Sequence, residues 1–202
     1  MKENYADIEV MCFHLSNADA ETTYYDICRD GIPVMDMDNW DIKSFWMAYG
    51  GFTITLDGYK TVFHSGGFYN IVKATTFLLN TIYWLEGKSS CWFNDHEGAE
   101  ELFISLGLHE TFKVRKKNEH EILLSYYREN NAAVRKRGEH FFHELLLSRD
   151  SWIDACKIAL GEYFQMVREI ADAHPESKLK RVLDEYYDVW MGVSGININR
   201  PV

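Results

Sequence analysis

The densest group of chemically active side chains lies near the middle of the chain. A thiol, a carboxylate and an imidazole occur close together at Cys91, Asp95 and His96. A catalytic thiol needs a base within hydrogen-bonding distance and a third group that orients the base, and such partners usually meet through the fold rather than as neighbours in sequence. The alternative is a strand that ends in a polar turn at Asn94 and Asp95. A pocket built on these residues is one hypothesis for an enzyme or a small-ligand binder.

Two histidines, His140 and His143, form the second arrangement with chemical potential. On a helix, this spacing would place both rings on one face beside the carboxylates of Glu139 and Glu144, which could hold a metal ion. On a strand, the two rings would point to opposite faces and the site would not form. The pattern over residues 141–148 fits both elements: the spacing of Phe141, Phe142, Leu145 and Leu146 fits a helix, and the unbroken Leu-Leu-Leu run fits a buried strand, which we favour. We therefore predict no metal site, and the absence of glycine-rich nucleotide-binding motifs predicts no cofactor.

The acidic first third of the chain offers a surface for binding rather than for catalysis. Residues 1–66 carry eleven acidic side chains against four basic ones. Within this region, an acidic–aromatic segment combines carboxylates with large rings, and its members are Asp36, Asp38, Trp40, Asp41, Phe45 and Trp46. Aromatic residues dominate binding hot spots, and complementary charge speeds the encounter with a basic partner. The competing interpretation places these rings in the core and the acids in a solvated loop.

A basic stretch lies later in the chain, where residues 113–137 carry eight basic side chains against three acidic ones. Such a stretch could contact the phosphates of a nucleic acid. A strand, however, would place Arg115 and Lys117 on one face and Lys116 on the other, which dilutes the patch. The net charge of −10 would also repel a nucleic acid or an anionic membrane. We therefore expect neither as a partner.

The composition is typical of a folded, soluble protein. Of the 202 residues, 47% are hydrophobic and 15% are aromatic, which is ample material for a core. No apolar run approaches the roughly 20 residues that a membrane-spanning helix needs, and no signal peptide is recognisable. The four cysteines lack the paired spacing of zinc sites. These features predict a cytoplasmic protein with free thiols, and the lack of linkers predicts a single domain over residues 1–202 with a loose tail from about 196.

Turn residues predict two β-hairpins among the elements that must position these groups. An Asp-Gly pair at residues 57–58 joins two alternating stretches, and this dipeptide favours the positive φ angles of a tight hairpin turn. The turn should place Leu56 opposite Tyr59. A second hairpin is expected over residues 112–127.

Helical periodicity appears in two regions. Apolar residues spaced for one helical face run from residue 68 to residue 82, and this helix should end at Gly87. The last third should form two helices, which begin near residue 152 and at Pro175. Because strands and helices do not alternate regularly, we expect an antiparallel sheet, mostly of hairpins, with about three helices packed on one face. The predicted fold class is α+β.

The acidic, aromatic-rich and motif-poor sequence favours a binding protein over an enzyme. We expect a small cytoplasmic protein that engages or inhibits a basic macromolecular partner through the acidic–aromatic segment, as an immunity protein or an antitoxin does. Two alternatives stay open. One is an enzyme, or a ligand or metal binder, with a pocket of Cys, His and Asp. The other is a structural domain that associates with itself as a homodimer.

Overall fold

The computed structural model contains two antiparallel sheets with helices packed against them. The first sheet consists of β1 (Ile8–His14), β2 (Ile32–Pro33), β3 (Gly50–Leu56) and β4 (Tyr59–Val62), in the order β2-β1-β3-β4. β1 pairs with β3 along its whole length. The residues that the structure describes are 5–14, 32–33, 41–48, 50–57, 59–62, 71–90, 92, 98–106, 110–128 and 142–196.

The turn between β3 and β4 is the tight hairpin that the Asp-Gly pair predicts. Leu56 lies opposite Tyr59 and Ile54 lies opposite Thr61, which confirms the expected register. Asp57 adopts a φ of 47°, in the left-handed region that Asp tolerates better than most residues. A local sequence signal was therefore sufficient to predict this element.

The second sheet consists of β5 (Glu101–Leu106), β6 (Glu110–Lys116), β7 (Glu121–Arg128) and β8 (Phe142–Ser148), in the order β5-β6-β7-β8. All neighbouring strands are antiparallel. The second predicted hairpin is confirmed as β6 and β7. The strand interpretation of the leucine-rich region is confirmed by β8.

A β-bulge changes the alternation of side chains along β8. The pairing of β7 with β8 shifts by one residue between Leu124 and Tyr126. Glu144 lies at this bulge with a φ of 53°. The extra residue allows Phe142 and Leu145, which are three positions apart, to pack against the same core.

Four helices are described: α1 (Ile42–Trp46), α2 (Ile71–Glu86), α3 (Arg149–Ala173) and α4 (Lys178–Met191). α2 ends where the sequence predicts, because Gly87 follows it with a φ of 67° that glycine adopts without strain. α2 and α3 pack on the sheets, and α4 packs on α3.

The start of the last helix differs from the prediction. Pro175 lies in the turn before α4 rather than in its first turn. Ser177 is the N-cap, and its side chain accepts a hydrogen bond from the backbone N–H of Leu179 at 3.2 Å. The side-chain oxygen of a capping serine accepts a hydrogen bond from a backbone N–H group that has no partner within the helix. The helix therefore begins at the first residue after this cap.

Aromatic side chains join the two sheets in a shared core. Phe52 from the first sheet contacts Phe112 from the second sheet edge-to-face, with ring centroids 5.6 Å apart. Phe77 of α2 contacts both rings, and Trp152 of α3 stacks on Phe112 at 6.0 Å. The predicted α+β class is confirmed, with the strands divided between two sheets.

Candidate functional site

The acidic–aromatic segment is only partly described. Asp36, Asp38 and Trp40 lie outside the described residues, so their role stays a prediction. Asp41 is exposed and precedes α1, where its Oδ1 accepts a hydrogen bond from the N–H of Lys43 at 2.8 Å. Trp46 is partly buried and packs against the core. Asp41 therefore acts as a helix cap in addition to any role in binding.

Phe45 is corrected from a surface anchor to a core residue. Its exposed fraction is 0%, and its ring packs against Tyr163 with centroids 5.9 Å apart. α1 turns this side chain inward because burial of an aromatic ring stabilises the fold more than its exposure would. The competing interpretation, in which the rings belong to the core, holds for this residue.

Neither candidate chemical cluster is assembled by the described residues. Cys91, Asp95, His96 and His140 all lie outside them. His143 is exposed on β8, where its ring stacks on Tyr127 at 5.1 Å, so the helical geometry that a metal site would need is absent at this position. In the described part of the chain, no group of three or more His, Cys, Asp or Glu side chains could hold a metal ion.

The basic residues of β6 and its turn all interact with groups of the protein itself. Lys113 pairs with Glu101 at 2.9 Å and Lys117 pairs with Glu121 at 3.1 Å, while Arg115 forms an ion pair with Glu144. The fourth cation, Lys116, donates a hydrogen bond to the carbonyl oxygen of Trp84 at 2.9 Å and lies 4.4 Å above the Trp84 ring. These four cations therefore do not form an open phosphate-binding patch.

A groove opens where β1, β3 and one flank of α3 meet, and we name it the β1–α3 groove. Its volume is about 560 Å³, within the range of roughly 300–1,000 Å³ that is typical of ligand sites. β1 contributes the four consecutive residues 8–11, and β3 contributes Thr53 and Thr55. α3 contributes four residues of one flank. The groove is a candidate binding site, and all of these wall residues are described by the structure.

The two walls of the groove follow from strand and helix periodicity. On β1, Val10 is buried and its neighbour Glu9 is exposed, because successive side chains point to opposite faces of a sheet. On α3, Ala155 and Ala159 are buried, and their small side chains allow close approach to β1. Ile158 lies between them in sequence, and 71% of its surface is exposed. A large apolar side chain is thus presented to solvent at the edge of the groove.

The charged side chains that the structure describes in the lining of the groove are both acidic. Glu9 on β1 and Glu162 on α3 are exposed carboxylates at the groove. Neither forms an ion pair or hydrogen bond with another described residue, in contrast to Glu101, Glu121 and Glu144. No basic side chain of the described region lines the groove. Among the described side chains, the site therefore combines apolar surface with two carboxylates that no basic group pairs, which suits a ligand that is both cationic and apolar.

The two elements that form most of the groove, β1 and α3, also carry two buried thiols, and these thiols are unreactive. Cys12 and Cys156 are free and buried. Burial raises the pKa of Cys12, and the negative charge of Glu162 raises it further. Burial likewise holds the pKa of Cys156 well above its usual value. Both residues stay neutral thiols at physiological pH, and nucleophilic attack requires the thiolate.

Sequence reasoning missed the groove because its walls come from distant parts of the chain. One local signal was available: Asp154, Ile158 and Glu162 are four residues apart, so they lie along one row of α3. All three side chains are exposed. This row, an isoleucine between two acids on the polar side of an amphipathic helix, is the sequence signal for that flank of the groove.

None of the described helices is long and apolar enough to cross a membrane. Comparisons of this chain with models of protein families, with curated proteins and with solved structures gave no match.

Proposed function

We propose that this chain is a binding protein that engages a basic macromolecular partner and that the β1–α3 groove is its contact surface. The observation that supports the proposal is the charge of the groove: of its described lining residues, Glu9 and Glu162 carry charge, and neither has a partner among the residues that the structure describes. An inhibitor of the immunity or antitoxin type would act in this manner, by covering a basic surface of its target.

The surroundings of the groove favour association with a cation over association with a polyanion. The chain carries a net charge of −10, which would attract a basic partner over long range and raise the rate of encounter. Ile158 supplies exposed apolar area that a bound partner would cover. Contact with apolar surface stabilises the complex, and the carboxylates give it specificity for positive charge.

The experiment is a capture of partners from the native cell lysate at low and at high salt, followed by reconstitution with the purified partner. Bait variants are Glu9→Gln with Glu162→Gln, and a matched control, Glu119→Gln with Glu176→Gln, which removes two exposed acids far from the groove. Exposed ion pairs contribute about 0.2–1 kcal/mol each, so the groove variant should weaken binding by roughly 2- to 30-fold. The control variant should bind as the unmodified protein does.

The acidic–aromatic segment provides a second arm of the same experiment. Asp36, Asp38, Trp40 and Asp41 are replaced together, and the affinity for the same purified partner is measured. A loss confined to this variant would assign the contact to the segment rather than to the groove. A captured partner without basic character, or binding that does not weaken with salt, would contradict the proposal as a whole.

A further inference from the structure

We propose that this chain forms a weak homodimer in which two copies of the second sheet pack face to face. The contact surface is the outer face of that sheet, which consists of the side chains that β5, β6, β7 and β8 direct away from α2 and α3. This surface shares no described residue with the β1–α3 groove, so the inference does not depend on the proposed function.

The alternation of side chains along the strands separates the two faces of the sheet. Leu102, Val114 and Ile122 are buried in the core. α3 lies on this inner side, where Trp152 stacks on Phe112. The residues that alternate with these buried ones therefore point outward and form the outer face.

Apolar and aromatic side chains occupy much of the outer face. On β5, Phe103 has an exposed fraction of 60%. Leu123 of β7 lies opposite Leu146 of β8, and both are only partly buried. The ring of His143, also on β8, stacks on Tyr127 with centroids 5.1 Å apart. The solvent-facing side of an antiparallel sheet usually carries polar residues, so covering this face would remove apolar surface from water and stabilise a complex.

Ion pairs leave the described part of the outer face without net charge. Its three basic groups pair with three carboxylates: Lys113 with Glu101, Arg115 with Glu144 and Lys117 with Glu121. The chain as a whole carries a net charge of −10, so two copies repel each other in most orientations. A neutral and partly apolar face is where a second copy approaches at least cost, whereas a strongly charged partner would gain little there. The charge balance therefore favours a second copy as the occupant.

Two-fold symmetry makes the outer face complementary to itself. In a closed dimer of this kind, every contact occurs twice. β5 and β8 lie at opposite ends of the described strand order, so a two-fold axis parallel to the strands places β5 of one copy over β8 of the other. Phe103 of each copy then lies against Leu146 and His143 of the other copy, and the exposed ring is covered on both sides of the axis.

The size of the outer face limits the strength of the dimer. The four strands have six to eight residues each and lie about 4.8 Å apart, which gives a face of about 20 Å on each side. Its flat area is roughly 400 Å² per copy, compared with about 800 Å² per partner in a standard stable interface. The association should therefore be weak, and dilution to about 1 µM should separate the copies.

The first test is sedimentation equilibrium of the full chain between about 1 µM and about 1 mM, over which the average mass should rise toward that of two chains. Phe103→Lys should weaken the association at least about tenfold, because each dimer would bury two unpaired ammonium groups. Ile158→Lys is the matched control, since it makes the same change of charge at an exposed apolar side chain outside the outer face. This control should associate as the unmodified chain does.

The second test is a disulfide between copies, formed with oxidised glutathione in a mixture of Phe103→Cys and His143→Cys chains. The mixture should cross-link through positions 103 and 143. Phe103→Cys alone should not, because the two β5 strands would lie on opposite sides of the dimer, about 14 Å apart and beyond the reach of a disulfide. A chain that stays monomeric up to about 1 mM, or a dimer that Phe103→Lys leaves unchanged, would overturn the proposal. Cross-linking of Phe103→Cys alone but not of the mixture would overturn the two-fold arrangement.

Discussion

At the scale of single residues, the contrast between two buried tyrosines shows how this core tolerates polar groups. The hydroxyl of Tyr186 lies 3.0 Å from Oγ1 of Thr75 and 2.9 Å from Oγ1 of Thr76. The hydroxyl of Tyr163 is buried near Thr75 and Tyr186 but forms no hydrogen bond of normal geometry with a described residue. Burial raises the pKa of both phenols, so both stay neutral. The Tyr186 hydroxyl is thus well hydrogen bonded within the core, whereas the Tyr163 hydroxyl is not.

This contrast yields a matched pair of substitutions. Tyr186→Phe should lower the free energy of unfolding by about 1–2 kcal/mol, because it removes hydrogen bonds in a buried site. Tyr163→Phe should change it by less than about 0.5 kcal/mol or raise it, because an unsatisfied buried hydroxyl is costly. Urea unfolding of the two variants measures the difference. Equal losses would show that the Tyr163 hydroxyl is hydrogen bonded in solution.

At the scale of elements, the β3–β4 hairpin depends on Asp57 for two reasons. Its φ of 47° is unfavourable for most side chains, and its Oδ1 accepts a hydrogen bond from the N–H of Asp7 at 2.9 Å. Asp57→Ala loses both advantages and should lower the free energy of unfolding by about 1–2 kcal/mol. Asp57→Asn is the control, since Asn tolerates this region and its amide oxygen still accepts. Chemical denaturation measures the free energies of unfolding. A lower value for Asp57→Asn than for Asp57→Ala would contradict this account of the turn.

The elements that sequence reasoning predicted are those with local signals. The Asp-Gly turn, the glycine after α2 and the leucine-rich β8 each carry their information within a few residues. The pairing of β1 with β3 and the division into two sheets depend on contacts between distant segments, which periodicity does not encode. The beginning of α4 shifted because Ser177 and Pro175 both favour a helix N-terminus and the cap prevailed.

The candidate site was less predictable than the fold for the same physical reason. The acids near Phe45 in sequence predict a surface position, yet its burial depends on Tyr163, which lies far along the chain. The groove requires β1 and α3 to come together, and only Ile158 carried a local signal of exposure. Side-chain type predicts what chemistry is available, whereas tertiary packing decides which side chains reach solvent.

At the scale of the whole molecule, one aromatic ring connects the two sheets. Phe112 of the second sheet has an exposed fraction of 1%. It contacts Phe52 of the first sheet, Phe77 of α2 and Trp152 of α3. Loss of this ring would leave a cavity that both sheets border. If the chain is a single domain, as predicted, the two sheets should therefore lose stability together when this ring is removed.

Phe112→Ala should lower the free energy of unfolding by about 3–5 kcal/mol, the range for a buried phenylalanine. The control is Phe103→Ala on the adjacent strand β5, where 60% of the side chain is exposed and the loss should stay within about 0.5 kcal/mol. Unfolding is followed by far-ultraviolet circular dichroism for the whole backbone and by hydrogen exchange for each sheet. In a single domain, the transitions of both sheets coincide and both shift by the same amount in Phe112→Ala. A variant in which the second sheet melts while the first keeps its protection would establish two domains and would confine the β1–α3 groove to one of them.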